Sequence, residues 1–341
     1  MKKLIFVVPL VSIKIVFSQI PLSIEKIEKA YDYHKNKNGK CMIIMYDGNI
    51  IFEKYSKNSF PEKLQFLASG SKSFVGIVAI CAVEDGLINL DDKVCETVEK
   101  WKKDSLKSQI TYRHLLNLTC GLKPEGIIRN FNHLTWKDLL SIPAKEIPGK
   151  KFEYSGVPHN IFAYCLQLKL KNKTFEDYFK ERVLDPLGIK LEYKMRFKDG
   201  NPQVAGGACI TGRDWAKFGE FVQLGGTING KKIVDSKLLS ECFKGSEVFP
   251  AYGLTWWLIG KISQKNTSIF TNLIIEDIGW DKITNSDFIP KDLIAACGAG
   301  GQRLYIVPSY KLVIVRLGDL TFERKNRFND FDFLSLLFKN F

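Results

Sequence analysis

Ser69, Ser71 and Lys72 stand at the head of the apolar run "SFVGIVAICAV". A hydroxyl with an amine three positions on is a pairing that can do nucleophilic chemistry. Residues three apart share a helix face, so Lys72 can reach Ser69. From Phe74 to Val83 nearly every side of the run is apolar, which argues for a central helix whose start is buried as well. An ammonium there is costly, and desolvation together with the positive end of the helix dipole favours the neutral amine, which is a base. The first-turn N–H groups, Ser69 among them, can face a developing oxyanion. The plainer reading of the same stretch is an N-cap, with Lys72 reaching outward to water. The spacing also occurs at Ser23 to Lys26, but within the charged segment "SIEKIEKAY", which is expected to lead no buried helix and to form no site.

Other chemistries find less support. The histidines (His34, His114, His133, His159) show no H-x-H or H-x-x-x-H spacing and the cysteines no C-x-x-C pair, so neither a metal nor another cofactor is expected. There is no G-x-S-x-G elbow. His159 and Trp256, with Trp257, are candidates to line a cleft, each against the alternative of core packing.

The elements that must position Ser69 are legible in outline. "MIIMYDGNIIFEKY" (42–55) places two β-rich runs around Asp47-Gly48, a hairpin signal. "QRLYIVPSYKLVIVRLG" (302–318) repeats the arrangement, and "DFDFLSLLFKNF" is an amphipathic helix candidate. Between these ends the periodicity is helical, as in "TYRHLLNLTCG", "NIFAYCLQLKLK" and "GRDWAKFGEFVQLGG". This order predicts an α+β fold with an antiparallel sheet drawn from both chain ends, flanked by helices, and an inserted, mostly helical region. A cleft between the two parts is the expected place for a site.

The 341 residues and 45% hydrophobic content suit a large globular core. The net charge of +13 is scattered rather than striped, so no nucleic-acid partner is expected. Residues 1–18, "MKKLIFVVPLVSIKIVFS", resemble a secretory signal, too short to span a bilayer. They predict a periplasmic or secreted protein, in association with the cell envelope. The eight cysteines, mostly in apolar surroundings, point instead to free thiols and a cytoplasmic location. Residues 19–341 are expected to form one catalytic domain, its α/β part about 19–85 and 245–341 and its helical part about 86–244.

"ASGSKSFVGIVAICAVEDGLINLDDKV" resembles the nucleophile helix of the serine β-lactamase and penicillin-binding-protein superfamily, whose signature is S-x-x-K. "ITYRHLLNLTCGL", "PGKKFEYSGVPHNIFAYCL", "DYFKERVLDPLGI", "GGACITGRDWAKFGEFVQLGG", "YGLTWWL" and "GAGGQRLYIVPSYKLVIV" have parallels there, in the same order. Within the superfamily the chain looks most like class C β-lactamase-related esterases and 6-aminohexanoate-dimer hydrolases. The resemblance implies a β-lactamase/transpeptidase-like fold, Ser69 as nucleophile, Lys72 as its partner, and Tyr154 as general base, its phenolate stabilised by Lys72. It also implies the Ala299 N–H as a second oxyanion donor beside that of Ser69.

Two departures concern recognition. Gly156 stands where the family's Y-x-N motif has asparagine, and Ala296, Cys297 and Gly298 stand at the K/H-T-G triplet. The cation that would receive a substrate carboxylate is absent, whereas Gly298 still permits close backbone approach. The expected partner is therefore a small-molecule ester or amide, hydrolysed through an acyl-enzyme. The alternatives are a penicillin-binding-like sensor without turnover, and a β-lactamase or D-Ala-D-Ala peptidase.

Overall fold

The computed structural model describes residues 22–123, 133–319 and 327–339; the expected signal segment, 1–18, lies outside them. Helix α1 (Ile24–Asn36) precedes the hairpin of β1 (Gly39–Tyr46) and β2 (Asn49–Tyr55), and β3 (Gln65–Phe66) leads to α2 (Lys72–Glu84). Helices α3 (Tyr112–Leu116), α4 (Trp136–Leu139), α5 (Val157–Leu170), α6 (Phe175–Phe179) and α7 (Asp185–Leu187) follow. Next come β4 (Leu191–Tyr193), β5 (Ala208–Ile210), α8 (Gly212–Gln223), β6 (Thr227–Ile228), β7 (Lys231–Lys232) and α9 (Ser236–Leu239). The chain then passes through β8 (Trp257–Leu258), α10 (Ile269–Ile278), α11 (Trp280–Asn285), β9 (Ile294–Gly298), β10 (Gln302–Val307), β11 (Leu312–Gly318) and α12 (Asp330–Phe338).

The main sheet is antiparallel in the order β2-β1-β11-β10-β9-β8, so strands from both ends of the sequence pair at its centre. Its first hairpin turns at Asp47 and Gly48, both at positive φ, with Tyr46 opposite Asn49. That is the backbone an Asp-Gly pair tolerates in a two-residue turn whose twist matches the strands. Both faces are covered. Along β1, Cys41, Ile43 and Met45 enter the core shared with α2 and α8, whereas Met42 and Ile44 enter the core shared with α1 and α12. The strand alternation thus feeds two hydrophobic layers rather than one layer and solvent.

Helix α2 is central, as its composition predicted: the residues from Lys72 to Ala82 are all buried. Each fully buried Phe, Val or Ile there contributes about 1.5–3 kcal/mol relative to exposure, which fixes the helix that carries the site. The Ser23 copy of the spacing leads a surface helix and not a buried one. The Ser23 hydroxyl caps α1, accepting from Lys26 N, and Ile27, Ala30, Tyr31 and His34 form a buried stripe. The charges in "SIEKIEKAY" occupy the outer face of a real amphipathic helix.

Candidate active site

Ser69 does not lie within α2. Strand β3 runs into a 3-10 turn over Ala68–Ser71, and the α-helix starts at Lys72. The three-residue spacing keeps its meaning, because residues i and i+3 eclipse in a 3-10 turn. Ala68 adopts φ 47°, a left-handed conformation that a side chain adopts at some cost. The turn is pinned on several sides. Gly70 N donates to Leu67 O at 2.9 Å, Ser73 Oγ to Gly70 O at 2.8 Å, and Ser71 Oγ to Ala68 O at 2.7 Å. Ser71 Oγ also accepts from Ala208 N, tying the turn to β5 and leaving Ser71 a structural role.

Lys72 is 3% exposed. Its Nζ lies 2.9 Å from Ser69 Oγ, 3.0 Å from Ala205 O and 5.0 Å from the centre of the Tyr154 ring. Among the described residues no carboxylate pairs with it, and burial pushes its pKa down to about 7. Near neutrality much of the amine is therefore uncharged, and the Ser69 hydroxyl can donate to it. Sequence could not point to Ala205, since the acceptor is a backbone carbonyl. The loop bearing it is held by Asn160, which accepts from Val204 N and donates to Gly156 O.

Tyr154 is buried beside the pair, its N–H donating to Thr271 Oγ1 of α10 and its ring packed against Tyr252 and Trp257. Burial pushes the phenol up to about 12, against the lowering effect of hydrogen bonding with Ser69 and Trp257. The expected phenolate, stabilised by Lys72, is thus not favoured in the resting site. Lys72 is uncharged in the form that could act as a base, and Tyr154 keeps its proton.

A cavity of about 350 Å³ opens over Ser69. Tyr154, Trp257, Cys297, Gly298 and Ala299 line it, with Ile274 and Ile278 of α10 and Phe328 opposite. Gly298 is required for this assembly. A Cβ there would lie 2.0 Å from Leu67 O and 2.8 Å from Gly70 N, so only glycine lets the end of β9 abut the Ser69 turn.

Two pocket candidates, Trp256 and His159, are enclosed in the core. Trp256 faces the opposite way from Trp257, fully buried in the core and stacked on Phe218. His159 is enclosed, its Nε2 3.1 Å from Leu116 O, and burial and the charge of Lys72 push its pKa down to about 3. Gly156 caps α5, and Ala205 Cβ lies 3.1 Å from where its own would stand. Cys297 does line the cavity, but burial pushes its thiol far above the ordinary range, unlike an activated thiolate. All eight cysteines are free and buried. Among the described residues no cluster of His, Cys, Asp or Glu could hold a metal, and no helix is long and apolar enough to cross a membrane. The sequence reading missed Ile274, Ile278 and Phe328.

Comparison with known proteins agrees with this architecture. The family model described as Beta-lactamase matches residues 24–334. An uncharacterized protein of Alkalihalophilus pseudofirmus is 24% identical over 335 residues, covering 88% of each chain. The structure of a Bacillus anthracis protein assigned as a 6-aminohexanoate-dimer hydrolase superposes with TM-score 0.70 at 18% identity, over 90% of this chain and 78% of the other. A family VIII carboxylesterase superposes with TM-score 0.61 at 14% identity, over 88% and 93%.

Proposed function

Because the chain belongs to the beta-lactamase family, we propose that it is a serine hydrolase that forms an acyl-enzyme on Ser69 from an ester or a small amide. The observation that carries this reading is the 2.9 Å approach of Ser69 Oγ to a buried lysine with no carboxylate partner among the described residues.

In the proposed cycle the uncharged Lys72 amine takes the Ser69 proton as Oγ bonds to the carbonyl carbon. The negative charge passes to the carbonyl oxygen, where the N–H groups of Ser69 and Ala299 receive it. The new ammonium, costly in this buried site, is offset by that oxyanion. Collapse of the adduct breaks the bond to the leaving group, which takes a proton from Lys72 through the Tyr154 hydroxyl. Water, giving a proton to Lys72, then attacks the acyl carbon; the bond to Ser69 Oγ breaks as Lys72 returns that proton to it, which frees the acid and restores Ser69.

Substrate preference follows from the motif positions. Ala296 is apolar and buried where relatives carry a cation, and Gly156 supplies no amide side chain. Both changes weaken recognition of an amide with a nearby carboxylate, so penicillins and D-Ala-D-Ala peptides suit the site less well than simple esters. The structural likeness to an assigned 6-aminohexanoate-dimer hydrolase and to a carboxylesterase fits the same choice. The altered triplet also favours a second reading, a sensor that acylates and stops.

A chromogenic short-chain ester distinguishes them. Continuous turnover that disappears in Ser69→Ala supports the hydrolase, and one stoichiometric burst supports the sensor. Full activity in Ser69→Ala overturns both.

A further inference from the structure

The segment Gly298–Gly301 connects β9 to β10 and lines the cavity beside Ser69. Three of its four carbonyls accept from two buried guanidinium groups. Arg303 donates from Nη1 to Gly298 O at 2.7 Å and to Gln302 O at 2.9 Å. Arg316 donates from Nη1 to Gly300 O at 2.8 Å and Gly301 O at 2.9 Å, from Nη2 to Lys37 O, and lies over the Phe328 ring.

Arg303 is itself held by α12. Its Nε and Nη2 donate to the two oxygens of Asp330 at 2.5 and 2.7 Å, and Tyr305 OH donates to the same carboxylate at 2.5 Å. Arg303 is 4% exposed on its side chain and Asp330 0%. A buried pair of this kind is not needed for stability alone, since apolar residues of similar volume commonly serve as well. Its distinctive contribution is direction, because a planar guanidinium locked at one edge by a carboxylate can present its remaining N–H groups along one line only.

That line fixes a peptide. In a planar trans peptide the C=O and the following N–H point in opposite directions. Gly298 O and Ala299 N belong to the same peptide unit, so holding the carbonyl against Arg303 turns the Ala299 N–H away from the guanidinium. Gly298 is also in contact with Leu67 and Gly70 of the Ser69 turn. We infer that Arg303, clamped by Asp330 of α12, is a positioning residue that orients the Ala299 N–H as an oxyanion donor. The inference rests on the proposed acyl-enzyme chemistry at Ser69. It assigns to α12, distant in sequence from Ser69, a part in transition-state stabilisation.

The test compares the full-length wild type with Arg303→Lys, Asp330→Asn and Leu337→Ala, the last a fully buried apolar residue of α12 outside the cavity lining. Ester kinetics, thermal melting and the affinity for phenylboronic acid are measured on each. The boronic acid forms a B–O bond with Ser69 Oγ, the serine proton passing to Lys72, and places an oxygen where the oxyanion would lie. Arg303→Lys keeps the charge but loses the fork, and should lower kcat about 100-fold, the scale of one lost oxyanion donor. Boronate affinity should fall in parallel, with KM within about threefold, because ground-state binding does not use the donor. Asp330→Asn, which preserves shape and some hydrogen bonding, should lower both by about tenfold and carries the comparison if Arg303→Lys does not fold. Leu337→Ala should lose melting temperature while keeping kcat within about threefold.

Wild-type kcat and boronate affinity in a folded Arg303→Lys or Asp330→Asn would overturn the inference. So would a loss of kcat in Leu337→Ala that matches theirs at equal loss of melting temperature. If Ser69→Ala leaves hydrolysis and boronate binding intact in the wild-type background, the acyl-enzyme reading itself fails. Ser69-dependent hydrolysis that Arg303 variants leave untouched refutes only the positioning role.

Discussion

Lys72 Nζ and Ser69 Oγ lie 2.9 Å apart at the junction of a 3-10 turn and a fully enclosed helix. The amine's other hydrogen-bond partner is the Ala205 carbonyl. Both partners suit a neutral amine as well as a cation, and burial supplies the bias toward neutrality. The relationship differs from an ion pair, in which a carboxylate would hold the lysine charged and useless as a base.

Activity should therefore rise with pH through about 7 as Lys72 loses its proton. The same shift has a stability consequence. Unfolded, the lysine binds a proton up to about pH 10.4; folded, it releases it from about 7. Between those values the unfolded state binds more protons, so stability rises with pH, and at or below neutrality the lysine costs up to about 5 kcal/mol. Lys72→Met should abolish hydrolysis yet raise the melting temperature at pH 6–7, with the gain shrinking toward pH 10. Melting curves of both proteins across that range, with no stabilisation found at pH 6, would count against a desolvated neutral lysine.

Tyr154 makes a complementary prediction. Its phenol is pushed up to about 12 by burial, so no second rise in rate should appear between pH 8 and 10. Tyr154→Phe should fold, because the ring keeps its packing against Tyr252 and Trp257. It should lose about 100-fold in kcat if the hydroxyl relays the proton to the leaving group. The loss should be smaller for an ester with a nitrophenolate leaving group, which departs without protonation. Equal loss on activated and unactivated esters would assign the hydroxyl to binding rather than to proton relay.

Gly298→Ala tests the junction between β9 and the Ser69 turn. The added methyl would sit 2.0 Å from Leu67 O, and neither backbone can give way without moving Ser69 relative to Ala299. A displacement of about 1 Å can cost 100-fold in rate. The expected result is a drop of at least that size in kcat/KM together with a lower melting temperature. Wild-type kinetics in a folded Gly298→Ala would mean that the close approach does not set the site.

The residues differ in how legible they were, and the reasons are physical. The Asp47-Gly48 hairpin and the buried helix after Lys72 were readable because local backbone preference, apolar pattern and tertiary placement agree there. Helix α10, which brings Ile274 and Ile278 to the cavity, was overlooked. Its outer face carries exposed Ile269, Phe270 and Leu273, so its apolar residues mark no single stripe. In helix α1 the dense charges occupy the outer face, and the buried stripe is confined to Ile27, Ala30, Tyr31 and His34. Contacts made by backbone carbonyls, such as Ala205 with Lys72 and Gly298 with Arg303, leave no trace in residue type.

Trp256 and Trp257 show how a single register step separates structure from site. Side chains alternate across an extended segment, so two adjacent tryptophans entered different layers, Trp256 against Phe218 and Trp257 against Tyr154 at the cavity. Trp256→Phe should cost about 1–3 kcal/mol of stability through the void it leaves, with kcat and KM per folded molecule unchanged. Trp257→Phe should change KM about tenfold and shift the preference among acyl chains, since it removes part of the wall that substrate meets. Denaturant melts with ester kinetics on both variants decide the matter. Equal kinetic effects would return the two tryptophans to one role, and the cavity would then need a different wall.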